Sequence, residues 1–310
     1  MKKTYYSNGK LLITGEYVVL DGAKALALPT KFGQYLIIEP GKNQQIIWKS
    51  FDSDKSIWFE DTITFSEITN LNASEVETVK STLVRILRNA YLQNPNFITK
   101  SEGYVITTEL TFPRLWGLGT SSTLINNIAQ WLEIDAFDLL KNSFGGSGYD
   151  IACAQNNSAI LYQLINEKPI VEKVVFNPDF AGNCYFVYLN KKQSSKTAIA
   201  SYFNKRTTIE NAISELNQIT NAVLKAPNLE NFMTLLETHE VIISHVLEMK
   251  TIKETLFFDF NGVIKSLGAW GGDFVLVVSK ENPTAYFKSK GFETIITYKD
   301  MILTQTKNPE

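Results

Sequence analysis

Glycine-rich stretches hold the residues of this sequence that could carry out chemistry. The first runs from Gly117 to Ser122, reads GLGTSS and stands directly before an apolar-periodic segment. Its glycines let the backbone curl, and its three hydroxyl residues fall where a helix should begin. The free N–H groups and the dipole of a helix N-terminus suit a phosphate, and a hydroxyl there could bind Mg²⁺.

The same stretch also allows a simpler interpretation. Serine and threonine are favoured helix N-caps even where no ligand binds. The Walker A motif is absent, because no lysine follows the second glycine. Taken alone, the stretch is therefore either a phosphate-binding loop of another kind or a capped helix start.

A second stretch, GGSGYD, places Asp150 two residues after Gly148. A carboxylate fixed just after such a loop could accept a proton from a substrate or orient a hydroxyl group. Acidic residues are also favoured in the first turn of a helix, so Asp150 could simply open the next helix.

Two further stretches are weaker. Gly271 and Gly272 precede a strong apolar strand and could form a tight turn into it. Lys10 and Glu16 flank a nearly all-apolar strand. A lysine at the edge of such a strand is more often a surface residue whose stem covers apolar neighbours.

Strands and helices of mixed order must position these residues. The runs QYLIIEP, QQIIWKSF, SIWFE and TITF predict an antiparallel meander, and Asp21-Gly22 predicts a hairpin turn. An amphipathic helix follows, with Ser74 as its N-cap. Its apolar positions are Val76, Val79, Leu83, Ile86, Leu87 and Ala90.

The rest of the chain shows the same mixture. A strand over GYVITTELTF precedes the first glycine loop, and helical patterning dominates from Lys196 to about Glu248. Regular βαβ alternation is missing, which indicates the α+β class. A second group of strands starts within residues 155–180, and we expect one domain over 1–165 and another over 166–310.

Composition excludes several classes of function. Lys+Arg 30 against Asp+Glu 32 leaves a net charge of −2 without a basic block, so neither nucleic acid nor an acidic membrane is an expected partner. The N-terminus resembles a first strand rather than a signal peptide, and no apolar run reaches the roughly 18 residues of a membrane span. We expect a cytoplasmic monomer or homodimer that acts on a small molecule.

Cysteine and histidine offer little chemistry. Cys153 and Cys184 are expected to be reduced, buried thiols. His239 and His245 stand six residues apart, which does not fit the HExxH zinc motif, because that motif needs a histidine at Ile243.

The order of all four stretches is more specific than any one of them. GKLLITGEYVVLDG, PRLWGLGTSS, GGSGYDIA and GAWGGDF resemble, in sequence order, the motifs of the GHMP kinase superfamily, in particular its mevalonate and phosphomevalonate kinases. GSGYDIA resembles the signature of a bacterial subgroup with a GYDIA motif. The resemblance implies an N-terminal ribosomal-S5-like domain and a C-terminal ferredoxin-like domain, with ATP and substrate meeting between them.

The resemblance also implies roles for individual residues. Asp150 matches the catalytic aspartate, and Lys10 matches the lysine near the transferred phosphate. Ser121 matches the hydroxyl that approaches Mg²⁺. The phosphate loop matches Gly117, Leu118, Gly119, Thr120, Ser121 and Ser122, and the substrate side matches Glu16, Tyr17, Ser147, Gly148, Gly271, Gly272 and Asp273. The serine-rich KQSSKT resembles a stretch of the phosphomevalonate kinases.

Some positions depart from the family pattern. Leu115 and Trp116 replace a Gly-Ala pair ahead of the phosphate loop, and Trp270 replaces a glycine of the third motif. The glutamate that mevalonate kinases carry before their aspartate falls on Leu139, beside Asp138. A hydroxyl, phosphates and water could then hold Mg²⁺, which commonly keeps several waters.

The resemblance implies an ATP-dependent kinase of a small anionic metabolite, with phosphomevalonate or mevalonate as the first candidates. Phosphoryl transfer depends mainly on positioning and on neutralising charge, which the loop amides, Mg²⁺ and Lys10 would supply. Two alternatives stay open. One is an ATP-dependent diphosphomevalonate decarboxylase, and the other is a sensor that binds nucleotide or metabolite without turnover.

Overall fold

A computed structural model describes residues 1–70, 76–191, 202–203, 209–268 and 270–304. Ser74 and the whole KQSSKT stretch lie outside the described residues. The chain divides into two compact units. The first unit holds residues 1–9, 32–114 and 118–155, and the second holds residues 10–31, 115–117 and 156–310. The expected domain boundary after residue 165 stays a prediction.

The described strands form two sheets. The strands are β1 (Lys3–Leu12), β2 (Ala25–Pro40), β3 (Gln45–Phe51), β4 (Ile57–Thr64), β5 (Gly103–Leu110), β6 (Ile160–Ile165), β7 (Lys168–Lys173), β8 (Cys184–Tyr188), β9 (Val263–Ser266), β10 (Phe274–Val278) and β11 (Ile295–Thr297). The helices are α1 (Phe65–Thr69), α2 (Val79–Gln93), α3 (Asn96–Thr99), α4 (Thr120–Leu132), α5 (Ala136–Ser143), α6 (Tyr149–Ala154), α7 (Glu210–Leu224), α8 (Leu229–Leu247), α9 (Ile252–Leu256), α10 (Thr284–Ser289) and α11 (Tyr298–Met301). This mixture confirms the α+β class.

The sheet of the first unit has the order β4-β3-β5-β2. The predicted meander is wrong at one step, because β5 lies between β3 and β2. β3 pairs with β5 in parallel, while β3 with β4 and β2 with β5 are antiparallel. The connection from β3 to β5 therefore contains β4 and the helices α1, α2 and α3. Parallel neighbours need such a long crossover, whereas a meander needs only short turns.

Helix α2 follows its apolar stripe but starts later than predicted. Thr78 is the N-cap and forms a capping box with Ser81, so the helix begins at Val79. Val76 lies ahead of that start and is exposed. The later stripe residues are buried as predicted, in a core shared by the sheet and helices of the first unit: Leu83, Ile86, Leu87 and Ala90.

In the second unit, the first residues of β2 pair with β6, and β6 forms a hairpin with β7. A separate antiparallel sheet has the order β11-β8-β10-β9. Helix α8 packs against α7 and β9. The expected hairpin at Asp21-Gly22 is replaced by a 3₁₀ helix over Val18–Asp21, which ends at Gly22 in the left-handed conformation.

None of the helices in the described part of the chain is long and apolar enough to cross a membrane.

Candidate functional site

In the first unit, a glycine starts the helix that follows the phosphate-loop motif. Helix α4 begins at Thr120, and its N-cap is Gly119, whose φ of 98° lies in the left-handed region. Among the described residues, no side chain caps this N-terminus. The first backbone N–H groups of this 13-residue helix therefore receive no hydrogen bond from a capping side chain, so they are available to an anionic ligand.

The hydroxyl groups of the loop do not cap the helix, so the simpler interpretation of this stretch is wrong. Ser122 Oγ lies 2.9 Å from the Gly119 carbonyl oxygen and donates to it. Thr120 Oγ1 is buried and has no hydrogen-bond partner in the described part of the chain. Ser121 is exposed. A buried hydroxyl without a partner is costly, which fits a loop completed by a ligand.

A buried polar network holds α4 on the strands beneath it. The Asn126 amide donates to Ser7 Oγ at 2.8 Å, and Ser7 Oγ donates to Asn127 Oδ1 at 2.8 Å. Asn127 then donates to the Gln34 carbonyl at 2.9 Å, and Thr123 donates to the Gln34 side chain at 2.7 Å. Buried polar groups that satisfy one another restrict a helix to one position.

The second glycine loop builds a similar helix start in the same unit. Helix α6 begins at Tyr149, and its N-cap Gly148 has a φ of 89°. Asp150 lies in the first turn of α6, and its Oδ1 accepts from the Ile151 N–H at 3.1 Å. Ser147 is buried. Because α6 packs against α4, the structure brings the Asp150 helix and the phosphate-loop helix together.

In the second unit, Lys10, Gly117 and Asp273 lie together. Lys10 Nζ donates to the Gly117 carbonyl at 3.1 Å. A Cβ at Gly117 would lie 2.2 Å from an Asp273 carboxylate oxygen, so only glycine allows this approach. Asp273 itself has a φ of 52°. Three residues that are far apart in the sequence are thus neighbours. Lys10, one of the three, is half-buried and is not the surface residue that its place at the edge of a strand suggested.

The two bulky residues before the phosphate loop pack on the second sheet. The Trp116 ring stands at 90° to the Phe274 ring, with centroids 5.4 Å apart. The Tyr188 hydroxyl donates to the Leu115 carbonyl at 3.1 Å. Burial and the charge of Asp273 raise the pKa of Tyr188, so this hydroxyl remains a donor. These contacts fix the chain just ahead of Gly117.

Glu16 belongs to a buried group of charged residues. Lys265 Nζ lies 2.5 Å from Glu16 Oε1 and 3.2 Å from Glu240 Oε2. The Gly15 N–H donates to His239 Nε2 at 3.0 Å. Glu240 also accepts from the Ser266 N–H and hydroxyl. We call Glu16, His239, Glu240 and Lys265 the buried charge cluster; each is at most 3% exposed.

Burial sets the direction of the pKa shifts of Glu16 and His239, whereas the neighbouring carboxylates set that of Lys265. Burial raises the pKa of Glu16 to about 7, although the charge of Lys265 opposes that shift. Burial and the charge of Lys265 lower the pKa of His239, which is therefore neutral. Burial alone would lower the pKa of Lys265, but Glu16 and Glu240 raise it.

Tyr17 links the same turn to the third glycine motif. It is buried at φ 62° and ψ −53°, a strained conformation for a residue with a side chain. Its hydroxyl accepts from the Trp270 N–H at 2.8 Å. The Trp270 side chain is also buried, and its indole donates to the Lys250 carbonyl at 3.1 Å. Substrate contacts by Glu16 and Tyr17 stay predictions, and both side chains are turned into the protein.

The position of the family's glutamate supplies no carboxylate for Mg²⁺. Leu139, at the family's glutamate position, is fully buried in the core of the first unit. Asp138 is exposed. Among the described residues, no three His, Cys, Asp or Glu side chains form a group that could hold a metal ion. Mg²⁺ commonly keeps several waters and binds few protein carboxylates, so this does not exclude the ion, and a metal role for Ser121 stays a prediction.

Both cysteines are buried, and they form no disulfide with each other. Burial raises the pKa of Cys184 to about 12, which keeps it a thiol.

The two units have the two-domain fold of the GHMP kinases. Methanococcus jannaschii mevalonate kinase is 18% identical, matches over 95% of this chain and 96% of its own, and has a TM-score of 0.71. Streptococcus pneumoniae phosphomevalonate kinase in complex with phosphomevalonate and AMPPNP is 16% identical over 95% and 99%, with a TM-score of 0.69. Lactococcus lactis galactokinase complexed with galactose is 12% identical over 93% and 88%, with a TM-score of 0.64.

No protein-family model matches the sequence, and no curated protein matches it either. Identities this low show the shared fold, which confirms the expected fold class.

Sequence reasoning missed the partners of Glu16. His239 was set aside once zinc was excluded, and neither Glu240 nor Lys265 was singled out. A signal was present, because Leu236, His239, Glu240 and Ile243 share the apolar stripe of α8. Polar residues on the buried face of a helix need buried partners.

Proposed function

We propose that this protein is an ATP-dependent kinase that transfers the γ-phosphoryl group to a small anionic metabolite. The observation that carries the proposal is the N-terminus of α4. It starts at a left-handed glycine, has no side-chain cap in the described part of the chain, and contains a buried hydroxyl without a partner. This N-terminus occurs in a fold shared with a phosphomevalonate kinase that holds AMPPNP.

The nucleotide would bind through its phosphates. The N–H groups of residues 119–122 and the helix dipole would hold the triphosphate, and Thr120 Oγ1 would gain a partner. Ser121 would hold Mg²⁺ together with phosphate oxygens and water. When bound, Mg²⁺ supplies positive charge that neutralises the phosphoryl oxygens.

Lys10 and Asp150 would act on the acceptor. The ammonium group of Lys10 would balance charge near the attacking oxygen, while Asp150 would orient or deprotonate it. If the acceptor is already a phosphate, its oxygen needs no strong base, and Asp150 mainly orients it. Ser147, Gly148, Gly271, Gly272 and Asp273 are the proposed remaining acceptor-side residues.

Mevalonate and phosphomevalonate are the first acceptors to test, because kinases of both share the fold along nearly the whole chain. A galactokinase and a heptose 1-phosphate kinase share it as well. The test panel therefore includes mevalonate, phosphomevalonate, diphosphomevalonate, homoserine and galactose.

The experiment measures ADP release from Mg-ATP, coupled to NADH oxidation, with each acceptor in turn. We expect one acceptor to give strong turnover that Asp150→Asn lowers by roughly a hundredfold or more. Asp138→Asn is the matched control, because Asp138 is an exposed aspartate on α5 of the same unit, and it should retain wild-type turnover.

Three results would contradict the proposal. Release of CO₂ from diphosphomevalonate would identify a decarboxylase. Binding of Mg-AMPPNP without turnover on any acceptor would favour the sensor. Equal turnover of Asp150→Asn and wild type would remove Asp150 from catalysis.

A further inference from the structure

The turn that follows β1, residues 14–17, forms several hydrogen bonds to distant parts of the chain. Gly15 and Tyr17 both have positive φ, 86° and 62°. Each residue from 14 to 17 has a hydrogen-bonded partner distant in sequence. Thr14 bonds Thr220, Gly15 bonds His239, Glu16 bonds Lys265, and Tyr17 bonds Trp270.

Two of these contacts, those to Lys265 and Trp270, lead to the segment that carries the third glycine motif. Lys265 and Ser266 close β9, and Ser266 is bound by Glu240. Four residues further on, the Trp270 N–H donates to the Tyr17 hydroxyl. Gly271 and Asp273 follow, again at positive φ. The segment that carries the motif is thus held at its start by the buried charge cluster and near its middle by Tyr17.

We propose that Tyr17 and Glu16 are positioning residues for the proposed kinase, which act through Trp270 and Lys265 instead of touching the acceptor. The bond of Glu16 to Lys265 and the bond of Gly15 to His239 together fix the strained turn. The turn presents the Tyr17 hydroxyl, and this hydroxyl sets the backbone that leads to Asp273. Asp273 in turn packs on Gly117, whose carbonyl binds Lys10.

The burial of both side chains favours positioning over substrate contact. Glu16 is 1% exposed and Tyr17 is 8% exposed. Glu16 Oε1 already bonds Lys265, Glu16 Oε2 lies 3.6 Å from His239 Nε2, and the Tyr17 hydroxyl bonds Trp270. A residue that holds Asp273 and Lys10 in place affects the reaction without touching its reactants, because errors of about 1 Å can cost roughly a hundredfold in rate.

The test compares Tyr17→Phe with Tyr202→Phe. Both variants remove one hydroxyl from the same apolar group, where the two rings lie 5.7 Å apart, but the Tyr202 hydroxyl donates to Asp21. We expect Tyr17→Phe to speed amide hydrogen exchange over residues 270–274 and to lower kcat roughly tenfold or more, with KM for the acceptor nearly unchanged. Tyr202→Phe should change neither quantity.

A second comparison uses the two carboxylates that share Lys265. Glu16→Gln should lower kcat. Glu240→Gln should lower thermal stability but leave kcat unchanged. Glu16→Gln combined with Lys265→Met should be no slower than the slower single variant, because both changes break one connection. A raised acceptor KM in Glu16→Gln alone, with additive effects in the double variant, would show direct substrate contact and overturn the proposal.

This inference rests on the proposed function, yet the two fail differently. If the wild type does not bind Mg-AMPPNP, the kinase proposal fails. The amide exchange rates of residues 270–274 still show whether Tyr17 fixes that backbone. If the wild type is an active kinase and Tyr17→Phe matches Tyr202→Phe in exchange and in kcat, the positioning role is wrong.

Discussion

Gly15 should be one of the least replaceable residues of the chain. Its φ is 86°, and a Cβ there would lie 2.7 Å from the Lys24 carbonyl oxygen and 2.9 Å from Ala25 Cβ. Gly291 has the same φ of 86°, but a Cβ added there would meet nothing within 4 Å among the described atoms. Alanine substitution at the two positions therefore separates the free-energy cost of the left-handed backbone conformation from the cost of steric overlap.

The expected magnitudes follow from that comparison. Gly291→Ala should cost about 1–2 kcal/mol, the price of a left-handed conformation. Gly15→Ala should cost that amount plus about 1–3 kcal/mol, because backbone atoms must move to admit the methyl group. Together these give about 2–5 kcal/mol for Gly15→Ala.

Urea denaturation followed by circular dichroism would measure both variants, which lie in the same unit. The m-value must match that of the wild type for the comparison to count as a change in stability. Equal losses in the two variants would refute the reasoning, because they would show that the space around Gly15 does not matter.

Three further predictions concern other parts of the molecule. The pKa of Glu16 in the folded protein is about 7, above its ordinary value, so its stabilisation is complete below about pH 4.5 and is lost as pH rises through 7. Glu16→Gln has no carboxyl group to titrate, so its stability relative to the wild type should rise across pH 5–8, by at most about 1.4 kcal/mol per pH unit. If urea titrations show that the difference in unfolding free energy does not change with pH, the prediction is wrong. Thr78→Ala should cost about 0.5–2 kcal/mol by removing the N-cap of α2. Ser66→Ala, at an exposed position of α1, should cost less in the same assay. Leu83→Ala should cost about 2–5 kcal/mol, whereas Val79→Ala, exposed on the same helix, should change thermal stability little.

The sequence predicted those features that depend on neighbouring residues. The start of α4 follows from glycine beside hydroxyl residues, and the buried face of α2 follows from its apolar spacing. The order of four motifs predicted the fold even though no single motif did. Local patterns carry this information because helix periodicity and glycine conformation are properties of short segments.

Other features depend on pairing across the chain, and these could not be predicted. The insertion of β5 between β3 and β2 is a choice among strand partners that have similar composition. The capping interpretation of GLGTSS is wrong for a local reason: the Ser122 hydroxyl bonds the Gly119 carbonyl three residues back, which residue types alone do not decide. The strained φ of Tyr17 is imposed by its distant partners, since nothing in its own sequence favours a left-handed residue.

The buried charge cluster also has a consequence for how the protein is made. Glu16 and Lys265 are separated by 249 positions, so the carboxylate leaves the ribosome long before its lysine. At typical synthesis rates this delay is roughly 10–50 s. During that time the apolar residues around Glu16 have no completed core, and the turn cannot adopt its final conformation. Completion of this region must therefore wait for the last part of the chain, and chaperones that shield nascent chains should raise the yield of folded protein.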